Sequence, residues 1–213
     1  IIPDENQTSW LTSFKLDHPL AYGASVSTGE SLILIGGRNA EGSWDKVTQL
    51  TWNSESQTII QESLPPLPQP LSMTDASIIG ATLYVAGGQT ADEFVGLEKV
   101  FWSLELDNLE SGWKILDPWQ GPARRHAIVV SQNIGDYDYL FILGGEDLTE
   151  AEDGTIQAVP LTDGYRYTLR NRQWDRIDNS PYPITSAPAI AYGQSHIIIF
   201  SGSTGTSLSE DSR

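Results

Sequence analysis

Short runs of strand-forming apolar residues recur along the chain, and four of them end on Gly-Gly or Ser-Gly. The runs are SLILIGG, ATLYVAGG, YLFILGG and HIIIFSG, which end at Gly37, Gly88, Gly145 and Gly202. Their last glycines lie 51, 57 and 57 residues apart. A period of about 50 to 60 residues is typical of a repeat protein whose unit is a small sheet.

Each unit carries three further strand signals. A first strand precedes the apolar run across a tight polar turn, in YGASVST, TDASIIG, RHAIVVSQ and APAIAYG, which indicates a β-hairpin. A third strand follows in KVTQLTW, KVFWSLEL and DGYRYTL. The fourth contains Trp113 in SGWKIL and Trp174 in RQWDRI, and the first unit has Ile59 near that place in TIIQESL. Helical periodicity is almost absent, so the sequence predicts an all-β protein of four-stranded antiparallel units.

Such units cannot bury both faces alone, and they stack radially as the blades of a β-propeller. A period near 50 residues favours the kelch type of blade. We interpret the paired glycines as places where the backbone bends against the neighbouring blade and a Cβ would clash. Trp113 and Trp174 are expected to fill the gap between adjacent sheets.

The repeat predicts a partial kelch-type β-propeller of about three and a half four-stranded blades, from a ring of about six. Residues 1–16, with Trp10, are expected to form the outer strand of a preceding blade. The predicted blades are 17–70, 71–121 and 122–180, followed by the inner hairpin of an incomplete blade at 181–213. We expect missing sequence, or a second chain, to supply the remaining blades.

The composition excludes several classes of function. The formal net charge is −16, which repels phosphate backbones and argues against nucleic acid as a partner. Cysteine is absent, which excludes disulfides, thiolate zinc sites and cysteine nucleophiles. The absence of cysteine also slightly favours a periplasmic or secreted protein. No apolar stretch reaches the length of a membrane span.

Two segments carry a family resemblance. LDHPLAYGASVSTGESLILIGG (residues 16–37) and LPPLPQPLSMTDASIIGATLYVAGG (residues 64–88) resemble the kelch-type bacterial mutarotases, or epimerases, that act on N-acetylneuraminate. A segment like the first belongs to the last blade of the usual members. Here it precedes the segment that resembles their first blade, an order similar to the cyclically permuted mutarotase branch.

The resemblance implies an isomerase of carbohydrate metabolism that interconverts the anomers of N-acetylneuraminate, a sialic acid, or of a related sugar acid. The ring must open and reclose by general acid–base catalysis, with no cofactor and no metal. The partner is a small sugar acid whose carboxylate favours a bidentate arginine.

In a kelch propeller, two sets of loops converge beside the central channel. One set precedes the first strand of each blade, and the other follows each glycine pair. The candidate catalytic residues there are Glu146 as general base and His126 as acid–base partner. The candidate substrate-binding residues are Arg38, Arg124, Arg125 and Tyr22. Structural roles stay open for all of them: a solvated acid, a strand histidine, loop ion pairs and a channel-wall tyrosine.

The sequence departs from the family pattern at one place. In the sialate members an acid follows the glycine, and an arginine precedes a Thr-Asp pair. Glu146 and Thr162-Asp163 fit that pattern, but Leu161 stands in place of the arginine. By blade order the equivalent glycine is Gly202, which Ser203 follows.

Two other functions compete with the mutarotase. A non-catalytic kelch module could bind a protein or a glycan through the same loops, and the fold alone does not decide between them. A galactose-oxidase-like enzyme needs copper and a Tyr–Cys crosslink, and the absence of cysteine argues against it.

Overall fold

The computed structural model describes residues 14–90 and 97–204. Within those ranges, three four-stranded antiparallel sheets and a final two-stranded hairpin follow one another along the chain. This is the partial propeller that the glycine period predicts. Trp10 and most of the predicted outer strand lie outside the described residues, and residues 14–16 form no strand.

Blade 1 has the sheet order β1-β2-β5-β6, and β3 pairs with β4 as a separate small ribbon. In chain order its strands are β1 (Ala24–Ser27), β2 (Ser31–Ile35), β3 (Arg38–Asn39), β4 (Gly42–Ser43), β5 (Val47–Asn53) and β6 (Thr58–Ser63). Blade 2 contains β7 (Asp75–Ile79), β8 (Thr82–Ala86), β9 (Phe101–Glu105), a 3-10 turn (Leu109–Ser111) and β10 (Lys114–Ile115).

Blade 3 repeats the plan and adds a longer ribbon directly after its glycine pair. Its strands are β11 (Ile128–Ile134), β12 (Tyr137–Leu143), β13 (Glu146–Glu150), β14 (Ile156–Pro160), β15 (Gly164–Thr168) and β16 (Gln173–Ile177). The last hairpin is β17 (Ala189–Tyr192) with β18 (His196–Ile199). The exact blade limits near residues 70, 121 and 180 stay predictions, because connectors without strands lie at each of them.

The hydrophobic core consists of three clusters, one at each junction between neighbouring blades. Strand β9 shows why both faces of blade 2 are buried. Trp102 packs into the cluster shared with blade 1, and its neighbour Phe101 packs into the cluster shared with blade 3. Successive side chains of a strand point to opposite faces, so a blade between two others is apolar on both.

Trp113, directly before β10, and Trp174, in β16, bridge adjacent blades, as predicted. Trp113 donates its indole N–H to the carbonyl oxygen of Pro65 at 2.9 Å. Trp174 donates to the carbonyl oxygen of Asp117 at 3.0 Å. Both acceptors lie in the connector that arrives from the preceding blade, so each indole fills the junction and also satisfies its polar atom.

The glycine pairs are joints between blades. In three blades the first glycine has a left-handed φ, and a Cβ there would meet a carbonyl oxygen of the next blade. The glycines are Gly36, Gly87 and Gly144, and the oxygens belong to Leu71, Arg124 and Ile184 respectively. The N–H of each second glycine donates to that same oxygen at 2.8 Å. The glycine requirement is therefore steric, as the sequence indicated.

No helix within residues 14–90 and 97–204 is long and apolar enough to cross a membrane.

Candidate functional site

Three residues lie just before each first strand, separated from it by one residue, or by two in the last hairpin, and we name them the lead-in triplet. The four lead-in triplets are Leu20-Ala21-Tyr22, Leu71-Ser72-Met73, Arg124-Arg125-His126 and Ile184-Thr185-Ser186. Their backbone contacts are the same from blade to blade. Each place in the triplet therefore has its own structural task, and the side chains differ on a common frame.

The middle residue of each triplet pairs with the residue that follows the glycines of its own blade. The pairs are Ala21 with Arg38, Ser72 with Gln89, Arg125 with Glu146, and Thr185 with Ser203. The loops before the first strands and after the glycines thus converge on one face, as predicted. Arg38 occupies in blade 1 the place that Glu146 occupies in blade 3.

The third residue of each triplet has a left-handed backbone, with φ between 52° and 58°. This conformation is uncommon for residues other than glycine. A chain of hydrogen bonds maintains it: Met73 N–H donates to Tyr22 O at 2.7 Å, His126 N–H to Met73 O at 2.8 Å, and Ser186 N–H to His126 O at 2.9 Å. This chain connects the four blades where their first strands begin.

An open depression of about 350 Å³ lies against this hydrogen-bonded chain. It is lined by Tyr22, Met73, Asp75, His126 and Ser186, among others. The ring of Tyr22 stands edge-on to the imidazole of His126, with 6.2 Å between ring centroids, and Tyr22 is 59% exposed. The structure thus brings two predicted site residues, Tyr22 and His126, to one concave surface.

Arg125 and Glu146 form a close ion pair beside this surface. The Nε and Nη2 atoms of Arg125 both lie 2.8 Å from Oε1 of Glu146, and Nη1 donates to Oε1 of Gln89 at 2.8 Å. The two charged side chains are only 20% and 13% exposed, so solvent screens the pair weakly. The predicted base and one predicted anion-binding arginine are therefore in direct contact.

Arg124 is placed differently from the expectation that it binds substrate. Its residue is 0% exposed, and a guanidinium with no exposed surface cannot contact a ligand from solvent. It stands at the triplet place that Leu20, Leu71 and Ile184 hold in the other blades, where the side chain packs inward near its own glycine pair. That alignment was the sequence signal that distinguishes Arg124 from Arg125.

The buried guanidinium is neutralised inside blade 3. Arg124 donates to Oδ2 of Asp163 at 2.9 Å and to the carbonyl oxygen of Gly144 at 2.9 Å. It also lies over the rings of Trp119 and Tyr165, 5.4 Å from each centroid. Asp163 of the Thr-Asp pair thus serves a structural ion pair, which holds the turn that leads into Glu146.

The environment of His126 favours the neutral imidazole. Burial lowers the pKa of His126 below its usual value, the nearby Glu146 carboxylate opposes this shift, and the Arg125 cation adds to it. A neutral imidazole can accept a proton near pH 7, but it is a poor donor of one.

Asp75 also lines the depression, although no sequence pattern predicts a role for it. Its Oδ1 accepts the N–H of Ala76, and its Oδ2 accepts the N–H of Val129 in blade 3, both at 2.8 Å. Burial raises the pKa of Asp75 to about 6, although the two N–H donors act against the shift. Ala24 and Ile128 hold the same register in blades 1 and 3, so the carboxyl group breaks the repeat pattern.

Among the described residues, no group of three or more His, Asp or Glu side chains could hold a metal ion.

Comparison with known proteins agrees with this architecture. A family model described as N-acetylneuraminate epimerase matches residues 64–209. An N-acetylneuraminate epimerase of Vibrio cholerae is 27% identical over 139 residues, which cover 65% of this chain and 33% of that protein. An N-acetylneuraminate epimerase of Haemophilus influenzae is 25% identical over 160 residues, covering 71% and 37% respectively.

A Kelch domain-containing protein of Vibrio cholerae is 28% identical over 140 residues, covering 65% of this chain and 35% of that protein. The chain therefore spans about a third of the length of the curated relatives that it matches. A solved structure described as "Structure of YjhT" superposes with a TM-score of 0.66 at 12% identity, and covers 88% of this chain and 60% of that one. That likeness shows a shared fold.

Proposed function

This chain belongs to the N-acetylneuraminate epimerase family, and we propose that it is part of a sugar mutarotase that interconverts the anomers of N-acetylneuraminate or a related sugar acid. Family membership supports the substrate class. The observation that carries the proposal is the contact of Arg125 with Glu146 next to His126, at the mouth of the channel. The proposal includes a periplasmic or secreted location, which the absence of cysteine favours.

The reaction requires groups that accept and donate protons around one sugar ring. To open the ring, a base takes the proton of the anomeric hydroxyl group while an acid protonates the ring oxygen. Glu146 and His126 lie close enough that each acts on the other electrostatically. They are the proton-transferring groups that this proposal assigns to the channel mouth.

The ion pair gives the site a way to couple binding to chemistry. A sugar carboxylate that binds Arg125 replaces Glu146 as the partner of the guanidinium. Glu146 is then released as a base beside the bound sugar. Recognition of the anion and generation of the free carboxylate thus become one event, and sugars without a carboxylate do not trigger it.

One-dimensional NMR of freshly dissolved α-N-acetylneuraminate tests the proposal with the full-length protein. The wild-type protein is expected to accelerate the appearance of the β anomer above the rate in buffer. Glu146→Gln keeps the size of the side chain but removes the base, so we expect a loss of about 100-fold or more in the catalysed rate.

Glu150→Gln is the matched control, because Glu150 lies on the same ribbon but is exposed at its far end. That variant is expected to retain the wild-type rate. An anomerisation rate equal to the buffer rate with wild-type protein contradicts the proposal for this sugar.

The second candidate function is a non-catalytic kelch module that binds a protein or a glycan through the same loops. The observation that favours it is the mutual neutralisation of Arg125 and Glu146, because a closed ion pair also serves as a plain structural contact. Under this alternative, Glu146→Gln changes stability or binding and leaves the anomerisation rate at its buffer value.

A further inference from the structure

The proposed reaction lacks a proton donor as long as only His126 and Glu146 are considered. Glu146 is held by a cation, and a neutral His126 accepts protons better than it donates them. Opening the ring nevertheless needs an acid at the ring oxygen. The channel mouth should therefore contain another group that holds a proton near neutral pH.

Asp75 is the carboxyl group that lines the same depression as His126 and Tyr22. Its two oxygens are fixed by the N–H groups of Ala76 and Val129, one from its own blade and one from the next. A side chain held by two backbone donors is pre-oriented and loses little freedom when a sugar arrives. The position of the carboxyl group is thus set before binding.

We propose that Asp75 is the acid of the reaction, and that it gives its proton to the ring oxygen of the sugar while Glu146, the base of the proposed function, takes the proton of the anomeric hydroxyl group. The C–O bond between the anomeric carbon and the ring oxygen breaks, and the anomeric carbon becomes the carbon of a ketone. Both protons return when the ring closes on the other face, so no redox partner or co-reactant is needed. This inference rests on the proposed function and assigns its missing acid.

The surroundings of Asp75 favour a stored proton. The titratable groups that line the depression within the described residues are Tyr22, Asp75 and His126. Arg125 and Glu146 act on His126, and their charges oppose each other there. Burial raises the pKa of Asp75 to about 6, so a fraction of the protein holds the proton near neutral pH.

The test compares Asp75→Asn with Ser77→Ala in the full-length protein. Ser77 lies two residues along the same strand and also bonds across to blade 3, where its Oγ accepts the N–H of Ser131 at 3.0 Å. Both variants therefore lose a contact between blades, whereas only Asp75→Asn also removes an acidic proton. In α-N-acetylneuraminate anomerisation followed by NMR, we expect Asp75→Asn to lose about 100-fold in kcat and Ser77→Ala to stay within about twofold.

The pH profile separates proton donation from structure. The wild-type kcat/KM, which reports the ionisation of the free protein, is expected to fall as pH rises through about 6, because Asp75 then loses its proton. This limb should be absent in the residual activity of Asp75→Asn. A variant that keeps the wild-type rate and the same limb overturns the assignment.

A direct titration keeps the assignment testable if Asp75→Asn fails to fold. The side-chain carboxyl ¹³C signal of Asp75 in the wild-type protein is expected to titrate with a midpoint near 6. A carboxyl group that is already ionised at pH 4.5 overturns the inference. Wild-type protein without any anomerase activity overturns the proposed function and this inference together, whereas an active protein with an ionised Asp75 overturns only the second.

Discussion

At the scale of single residues, Arg124 and Arg125 show that neighbours in sequence can have opposite roles. Arg125 pairs with Glu146 near His126, beside the depression, and Arg124 is buried with Asp163. Alternate side chains of an extended segment point to opposite sides, so Arg124 faces the core and Arg125 faces the loops beside the depression. The positive charge of Arg124 therefore serves a buried ion pair inside blade 3 and does not contribute to ligand binding.

The buried ion pair predicts a specific pattern of stability. Arg124→Leu leaves Asp163 as an unpaired buried charge, and we expect the free energy of unfolding to fall by about 3 to 5 kcal/mol. The double variant Arg124→Leu/Asp163→Val copies blade 2, where Leu71 and Val100 hold these places. It should recover most of the loss, because apolar residues often replace a buried ion pair at little cost.

Urea denaturation at pH 7 measures both variants against the wild-type protein. A single variant as stable as wild type shows that the pair contributes nothing. A double variant no more stable than the single one shows that the loss comes from altered packing and not from the unpaired charge.

The sequence could predict part of this site and not the rest. It placed Glu146, His126 and Arg125 on one face, because their distance from the glycine pairs is fixed by the repeat. It could not separate the roles of the two arginines without the register of the triplets. It also assigned no role to Asp75, because the burial that raises the pKa of this carboxyl group comes from residues distant in sequence.

At the scale of the strand and the turn, the glycine pair is the joint that holds neighbouring blades together. Gly144→Ala places a Cβ against the carbonyl oxygen of Ile184 and forces a left-handed backbone on alanine. Gly135→Ala has the same backbone problem, with φ +65°, but its Cβ meets nothing within 4 Å. We expect about 1 kcal/mol of destabilisation from Gly135→Ala and clearly more from Gly144→Ala.

Thermal or urea unfolding of these two variants separates steric contact from backbone conformation. Equal destabilisation of the two variants contradicts the proposed steric contact between blades, because the added Cβ at position 144 then costs no more than the one at position 135. Ser201 holds the corresponding place before Gly202 with φ 58°, so a residue with a side chain adopts the same backbone conformation there.

Most strands were predictable because apolar runs and alternation report directly on burial. The first, second and third strands of each blade lie where the sequence patterns place them. The β13–β14 ribbon was not predicted, because its exposed side chains give no periodic signal and its pairing depends on the turn between them. Strand β10 is only two residues long, shorter than the pattern around Trp113 indicates.

At the scale of the whole molecule, the last hairpin exposes apolar side chains that a complete ring is expected to cover. Ile190, Tyr192 and Phe200 are 57%, 65% and 52% exposed. Exposed apolar patches of this kind are contact surfaces in most proteins. We propose that further blades, from additional sequence or from a second chain, pack against this face and enclose the channel.

The location of the site is the central claim, and one measurement tests it most directly: a crystal structure of the full-length protein with N-acetylneuraminate bound. We predict that the sugar fills the depression beside Asp75 and His126, with its carboxylate on Arg125 in place of Glu146. A sugar bound elsewhere on the ring, with the Arg125–Glu146 pair intact and the depression without sugar, contradicts the claim.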